Sequence, residues 1–163
     1  MSATFSLEPV NTLTDTQRQC LAALELTREQ MLFSGSIEHA LAALDEQLPA
    51  YARGFAAISA GTPVGFFLLK RPPLSPSWVA ADACSLHALQ IDLSMQGRGF
   101  GRACLQALPH LVRTLWPEVR VILLAVDTHN EAAQKLYLQE SWMDAGQAYP
   151  GRIGLERRLS LAL

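Results

Sequence analysis

Charge is scarce in this chain. Only 17% of its 163 residues are Asp, Glu, Lys or Arg, and 15 acidic against 13 basic residues leave a formal net charge of -2. No cluster of Lys or Arg forms the stripe that neutralises a phosphate backbone, which excludes nucleic acid as an expected partner. Cysteine is scarcer still. Cys20, Cys84 and Cys104 are odd in number, far apart and free of any C-x-x-C spacing, so neither a disulfide framework nor a metal site is implied. All three read as small buried hydrophobes, Cys104 because it falls on the apolar face of a helix. No apolar run approaches the length of a membrane span, and Met1 to Val10 has neither the charged start nor the apolar middle of a signal peptide. No membrane partner and a cytoplasmic location are the expectation.

What is present is apolar residue in quantity: half of the chain is hydrophobic. That argues against disorder, and the length suffices for one domain, residues 1–163, to bury a core without disulfides or a structural metal. Internal repeats and linkers are absent from the sequence.

Asp15 to Leu26 and Ser36 to Leu48 carry apolar residues at helical spacing, with Thr14 and Ser36 placed as N-caps. Gly54 to Ser59 and Val64 to Lys70 read as two antiparallel strands joined by the turn Ala60-Gly61-Thr62-Pro63. The proline-rich stretch Arg71 to Ser77 cannot continue a sheet, because proline donates no hydrogen bond, and is expected as a surface loop. Ala83 to Leu93 reads as a buried strand. From Phe100 to Leu115 apolar residues repeat at three and four, a helix that Pro109 should kink or shorten. Glu118 to Asp127 is almost continuously apolar, which predicts a central strand covered on both faces and a right-handed parallel crossover with the strand before it. Asn130 is placed to cap a helix reaching Glu140, and strands are expected from Ile153 to Leu161 and near Gln147.

Between the strand ending at Leu93 and the helix opening at Phe100 lies Gln96-Gly97-Arg98-Gly99-Phe100-Gly101-Arg102. The first N–H groups of a helix have no carbonyl partner, and the helix dipole favours an anion there. Gly97, Gly99 and Gly101 have no Cβ to hold a phosphate off, and Arg98 and Arg102 add positive charge. The pattern suits a diphosphate cradle; a plain flexible turn is the alternative.

Gln96-x-x-Gly99-x-Gly101 after a strand, then helix, strand and Asn130-x-x-Ala133-x-x-Leu136-Tyr137, resembles the GNAT superfamily of acetyl-CoA-dependent N-acetyltransferases. The two motifs cover about Leu86 to Trp142. The resemblance implies an α/β (α+β) fold with a mixed, mostly antiparallel sheet flanked by helices and a splayed strand pair holding the cofactor. It implies that Gln96 to Arg102 wrap the coenzyme A pyrophosphate, that Leu89 and Ile91 bond the pantetheine through their main chain, and that Asn130 holds the pantetheine arm or orders the turn. Tyr137 takes the place of the general acid that reprotonates the leaving thiolate. Acetyl-CoA as acyl donor, no metal, direct attack by a primary amine of a small molecule, polyamine-like among the options, and a homodimer as is common in the superfamily are further implications.

Two departures stand out. Ser141-Trp142 replaces the glycine and aromatic residue that often follow this helix, so the helix lacks its preferred left-handed terminal residue. The strand before the glycine loop also lacks the glutamate that many members use as a base. His87, on the same strand face as Leu89 and Ile91, is the nearest substitute, with Asp82 and Glu140 behind it. Glu29, Glu38, Asp45 and Glu46 could face a cationic acceptor. Two other readings remain open at this point. One is a non-catalytic acyl-CoA-binding regulatory module; the other is a dinucleotide-binding domain with Asp127 at the next strand's end, against which the glycine spacing argues.

Overall fold

The structure, a computed structural model, describes residues 4–163. Its strands β1 (Phe5–Pro9), β2 (Ala52–Ser59), β3 (Thr62–Lys70), β4 (Ala83–Ile91), β5 (Val121–Asp127), β6 (Met143–Pro150) and β7 (Leu155–Ala162) form a sheet of order β1-β2-β3-β4-β5-β7-β6. Every neighbouring pair is antiparallel except β4 and β5. That topology removes the doubly wound dinucleotide fold, whose sheet is mostly parallel. Strand β1 was not legible beforehand: five residues ending in proline carry little β signal, and proline is tolerated there because β1 is an edge.

The N-terminal helices are shorter and more numerous than the sequence suggests. Helix α1 (Asp15–Ala22) and helix α2 (Arg28–Ser34) each open on a complete capping box, Thr14 with Gln17 and Thr27 with Gln30. Between them the chain leaves the helix because its backbone bonds elsewhere: Glu25 N–H donates to the Asp92 carboxylate at 2.8 Å, and Leu93 N–H donates to the Glu25 carbonyl at 2.7 Å. Gly35, at φ 75°, ends α2, and α3 (Ile37–Asp45) follows on its Ser36 cap. The β2–β3 hairpin turns on Ala60 and Gly61 alone, both at positive φ (49° and 80°), the combination that matches strand twist.

Helix α4 (Phe100–Leu115) runs through Pro109 and is not shortened by it. The lost bond to the Leu105 carbonyl is outweighed by burial of Leu105, Leu108 and Val112 on the same face. Strand β5 departs from expectation as well. Ile122, Leu124 and Val126 are buried, but Val121 and Leu123 are only half-buried and Ala125 is exposed, so one face is packed and the other is open. Helix α5 (Glu131–Gln139) ends in the left-handed geometry its sequence seemed to lack. Ser141 takes φ 69°, and Trp142 N–H donates to the Tyr137 carbonyl at 3.1 Å, closing a Schellman-type end. Trp142, 3% exposed, packs on the Tyr137 ring at 5.6 Å between centroids, which offsets the strain.

Two apolar clusters cover the two sheet faces. Phe55, Phe67 and Leu69 join α4, β5 and Trp142 on one side; Ala56, Ile58, Phe66 and Leu68 lie under α1 and α3 on the other. The second cluster stops at β4, so the face of β5 and β7 on that side is left open. Cys84 and Cys104 lie in the first cluster, whereas Cys20 is exposed on α1, a correction to its reading as buried.

Candidate functional site

The parallel ladder between β4 and β5 has three registered pairs, Ala83 with Val121, Cys84 with Ile122 and Ser85 with Leu123, and then stops. Beyond Ser85 the β5-facing edge of β4 has no strand partner. The cause is local. Between the pairs Leu68–His87 and Phe66–Gln90, β4 spends one residue more than β3, and Ala88 takes φ 54° in the resulting bulge. Gly65 keeps β3 thin at this level; a Cβ there would lie 2.6 Å from Ile91 Cδ1 and 2.8 Å from the Gln90 carbonyl. The two strands part as a V.

The V holds two hollows. A large one, about 480 Å³, is lined by His87 and Leu89 of β4, Ala125 and Asp127 of β5, Tyr137 of α5 and residues of the α2–α3 corner. A smaller one, about 190 Å³, is lined by Gln30, Leu89, Gln90, Ile91, Gln96 and Asn130. Leu89, Asn130 and Ala133 border both, so they stand at the passage between the two.

The glycine loop reaches the smaller hollow at Gln96. Gly97 and Gly99 have φ 73° and 87°, and Gly99 is the N-cap of α4 with no side chain to bond the first turn. The N–H groups of Phe100, Gly101 and Arg102 are thereby left for another acceptor. Gly101 lies close to α5, where a Cβ would touch Leu136 at 3.4 Å. Phe100 itself turns into the fold and stacks on Phe5, with centroids 6.2 Å apart. Arg98 is exposed beside the loop. Two residues expected on the cofactor do other work. Gln96 donates its amide to the Ile91 carbonyl at 2.9 Å and to Gln30 at 3.0 Å, pinning loop to strand; Ile91 O is thus already bonded. Arg102 pairs with Glu140 at 2.6 Å and Gln139 at 3.0 Å, tying α4 to the end of α5.

Asn130 caps α5, accepting from Ala133 N–H at 3.3 Å through Oδ1, and lines both hollows as well. Tyr137 is on the wall of the large hollow, where burial alone pushes its phenol well above the ordinary tyrosine range. His87 faces the same hollow. Ser85 Oγ stands 2.7 Å from His87 Nε2 and 3.3 Å from the Lys70 carbonyl; where the hydroxyl donates to that carbonyl, His87 Nε2–H is the donor to Oγ. With Nε2 as that donor, Nδ1 is the ring's acceptor. Burial pushes His87 down to about 4, with the nearby Lys70 charge adding to it, so the ring is neutral and weakly basic. A strong general base is not what this environment makes of it.

The other base candidates fall away. Asp82 lies before the start of β4, where its carbonyl accepts from Arg120 N–H, and Glu140 is held by Arg102; neither lines the hollow. Glu29, Glu38, Asp45 and Glu46 do not line it either, and Asp45 pairs with Arg18 at 2.8 Å. The residues that do line it include His39, Lys70, Trp78, Arg152 and Glu156, drawn from five separate segments. No spacing in the sequence could have assembled them. Burial raises the Cys84 and Cys104 thiols to about 12, which leaves them inert as nucleophiles. Among the described residues no group of His, Cys, Asp and Glu could hold a metal ion, and no helix is long and apolar enough to cross a membrane.

A mostly antiparallel sheet that opens between its one parallel pair, with a glycine loop at the mouth of the slot, defines a GNAT-type fold. The chain belongs to the acetyltransferase (GNAT) family, which it matches over residues 20–140. An N-acetyltransferase of Bacillus subtilis, YbbJ, described as uncharacterized, is 30% identical over 94 residues, 56% of this chain and 59% of that protein. The match thus spans less than two thirds of the relative's length. The GNAT domain of S. lividans PAT superposes with a TM-score of 0.72 at 17% identity, covering 96% of this chain and 89% of that one. Spermidine N-acetyltransferase from Vibrio cholerae, solved with CoA and spermine, gives 0.70 at 18% identity, covering 97% and 95%. At such identities the likeness is one of fold.

Proposed function

We propose that the protein transfers an acetyl group from acetyl-CoA to the primary amine of a small molecule, with both bound at once. The observation that carries this reading is the parting of β4 from β5 after Ser85 and Leu123, which leaves a slot running from the glycine loop to the large hollow.

In this reading the N–H groups of Gly97 to Arg102 and the charge of Arg98 hold the pyrophosphate, and the free edge of β4 at Leu89 bonds the pantetheine. Ile91 contributes a wall more than a carbonyl, because Gln96 already occupies that oxygen. Asn130 lies where the arm passes and offers its NH2 group. Acetyl-CoA supplies an acyl carbon activated as a thioester. A backbone N–H of the bulge near Leu89 would stabilise the carbonyl charge as it develops. Tyr137, which keeps its proton throughout the neutral range, donates it to the departing sulfur as the C–S bond breaks. The neutral Nδ1 of His87 accepts an N–H from the amine and orients its lone pair, while the amine's surplus proton leaves through water in the open hollow. Capture through an acyl-cysteine is disfavoured by the buried, inert thiols.

Calorimetric titration with acetyl-CoA, followed by thiol-release assays on an amine panel, tests the reading. Saturable binding with turnover is expected, and Tyr137→Phe should lower kcat by about a hundredfold, within the range of a lost general acid, while acetyl-CoA affinity is kept. An unchanged kcat would remove Tyr137 from the chemistry. A second reading, a regulatory module that binds acyl-CoA without turnover, draws support from the weakly basic His87 and the lack of a carboxylate on β4. Binding without thiol release across the panel would favour it.

A further inference from the structure

Across the slot from Leu89 stands a carboxylate pair that no Lys or Arg among the described residues pairs with. Counting on from the last β4–β5 pair, Ser85 with Leu123, puts Ala125 level with His87 and Asp127 level with the bulge at Ala88 and Leu89. His87, Leu89, Ala125, Asp127 and Tyr137 all line the large hollow. The β5–β7 register sets Glu156 directly opposite Asp127, and Glu156 lines the hollow too. Like charges directly opposite in an antiparallel ladder repel, a cost that a cation between them offsets. Among the described residues the ion pairs are Arg18–Asp45, Arg71–Glu118, Arg102–Glu140, Arg157–Asp144 and His129–Asp127, so Glu156 is in none and Asp127 meets only an imidazole. The His129 N–H at 2.8 Å and its ring at 3.2 Å both use Oδ1 of Asp127. Oδ2 accepts no hydrogen bond from the described residues, although the Asp127 side chain is only 8% exposed.

Glycines of the β6–β7 turn leave room for both carboxylates. Gly151, whose N–H donates to the Gly154 carbonyl at 2.6 Å, lies so near Glu156 that a Cβ would run into its carboxylate, and a Cβ at Gly154 would stand 3.7 Å from Asp127 Oδ2. The cations of this face are committed or distant. Arg152 donates to the Leu32 carbonyl, and Arg158 is covered by the Trp78 and Tyr149 rings and does not line the hollow. Lys70 is opposite Ser85 on β3, two strands across and four residues back from Asp127, roughly 16 Å away by strand geometry. The hollow is thus basic at one end and acidic at the other.

An alkylamine reaches the protein from neutral water as its ammonium ion, which offers three N–H donors and no acceptor. A nearly buried carboxylate oxygen that meets no other donor suits one of them, and a charge-assisted bond there is stronger than a neutral one. We infer that Asp127, through Oδ2, receives the acceptor as an ammonium ion, with Glu156 as the second carboxylate, and that this pair holds it on the β5 side of the slot, across from His87. The ammonium then gives its surplus proton to water in the hollow, which frees the lone pair for the acyl carbon. This rests on the acetyltransferase reading and adds its acceptor-binding residues, a part that Glu29, Glu38, Asp45 and Glu46 do not line the hollow to play.

Thiol release from acetyl-CoA at neutral pH is compared for two acceptors of the same chain length: pentylamine, an ammonium ion there, and O-butylhydroxylamine, a nucleophile that is neutral there. Asp127→Asn keeps an oxygen for the His129 N–H and removes the charge. It should lower kcat/KM for pentylamine by about tenfold or more, chiefly through KM, the scale of one charge-assisted contact. The same variant should leave O-butylhydroxylamine unaffected, with acetyl-CoA affinity retained as the check on folding. Glu156→Gln, which leaves the His129 bonds alone, should show the same selective loss and carries the test if Asp127→Asn binds acetyl-CoA poorly. A loss shared equally by both acceptors, no loss in either variant, or no turnover of pentylamine by wild-type protein that binds acetyl-CoA would overturn the inference. Acetyl-CoA titrated in parallel separates the two levels. Absence of binding overturns the acetyltransferase reading and the inference with it, whereas binding and turnover with an unselective loss overturn only the roles of Asp127 and Glu156.

Discussion

His87 shows how an environment can reverse the use of a residue. An exposed imidazole binds its proton near about 6.5, but this one, buried beside Lys70, does so only near 4. Between those values the unfolded chain binds more protons than the folded one. The neutral-ring contribution is therefore complete above the unfolded value and is lost as the pH falls toward the folded one, by about 3 kcal/mol at most. Urea midpoints at pH 7, 5.5 and 4.5 should decline accordingly, and His87→Asn should flatten that decline relative to wild type. A variant whose slope matches the wild type would show that His87 is not the group responsible. The candidate chemistry at this scale was only half legible. Tyr137 and Asn130 belong to a local motif on one helix, whereas Ser85, Lys70 and the burial that sets the behaviour of His87 are contributed by neighbouring strands.

At the scale of elements, the glycine loop and the bulge do separate tasks. Gly99 is in the left-handed region with open space where a Cβ would be, so Gly99→Ala meets no collision and suffers only from its dihedral. A cost of about 1–2 kcal/mol is expected, read as a lower thermal midpoint, together with about a tenfold weaker acetyl-CoA Kd as the first turn of α4 shifts. Full affinity in that variant would mean that the loop does not hold the pyrophosphate. The bulge at Ala88 is not marked by its own residues, since nothing in Leu86-His87-Ala88-Leu89 distinguishes it from an ordinary strand, and only the family resemblance implied a splayed strand pair there. It is imposed by pairing with β3 around Gly65. Helix α2 was missed for a related reason: seven residues are too few for a periodic signal, and its boundaries are set by the Thr27 box and Gly35.

For the whole molecule, stability is divided between two apolar layers that share β2 and β3. Phe66 and Phe67 are adjacent in sequence and both at most 1% exposed, yet they belong to opposite layers. Phe67→Ala should cost about 3–5 kcal/mol, measured by denaturant unfolding. The loss should reach the slot as well, because Phe67 packs in the layer that contains Leu89, Ile91 and Tyr137. Acetyl-CoA affinity falling together with stability is the expected result. Unfolding at full affinity would separate the slot from this core.

The sequence by itself determined what depends on neighbours along the chain. The caps at Thr14 and Ser36, the Ala60-Gly61 turn, the amphipathic α4, the glycine loop at its head and the Asn130 to Tyr137 helix are all local, and together they were enough for the family. Tertiary structure decided whatever depends on which strands lie side by side. The stop in the β4–β5 ladder, the open face of β5, the diversion of Gln96 and Arg102 to structural bonds, and the meeting of His87, Ala125 and Glu156 around one hollow come from sheet register. Register is fixed by the burial of both faces at once, and no stretch of the chain contains that information alone.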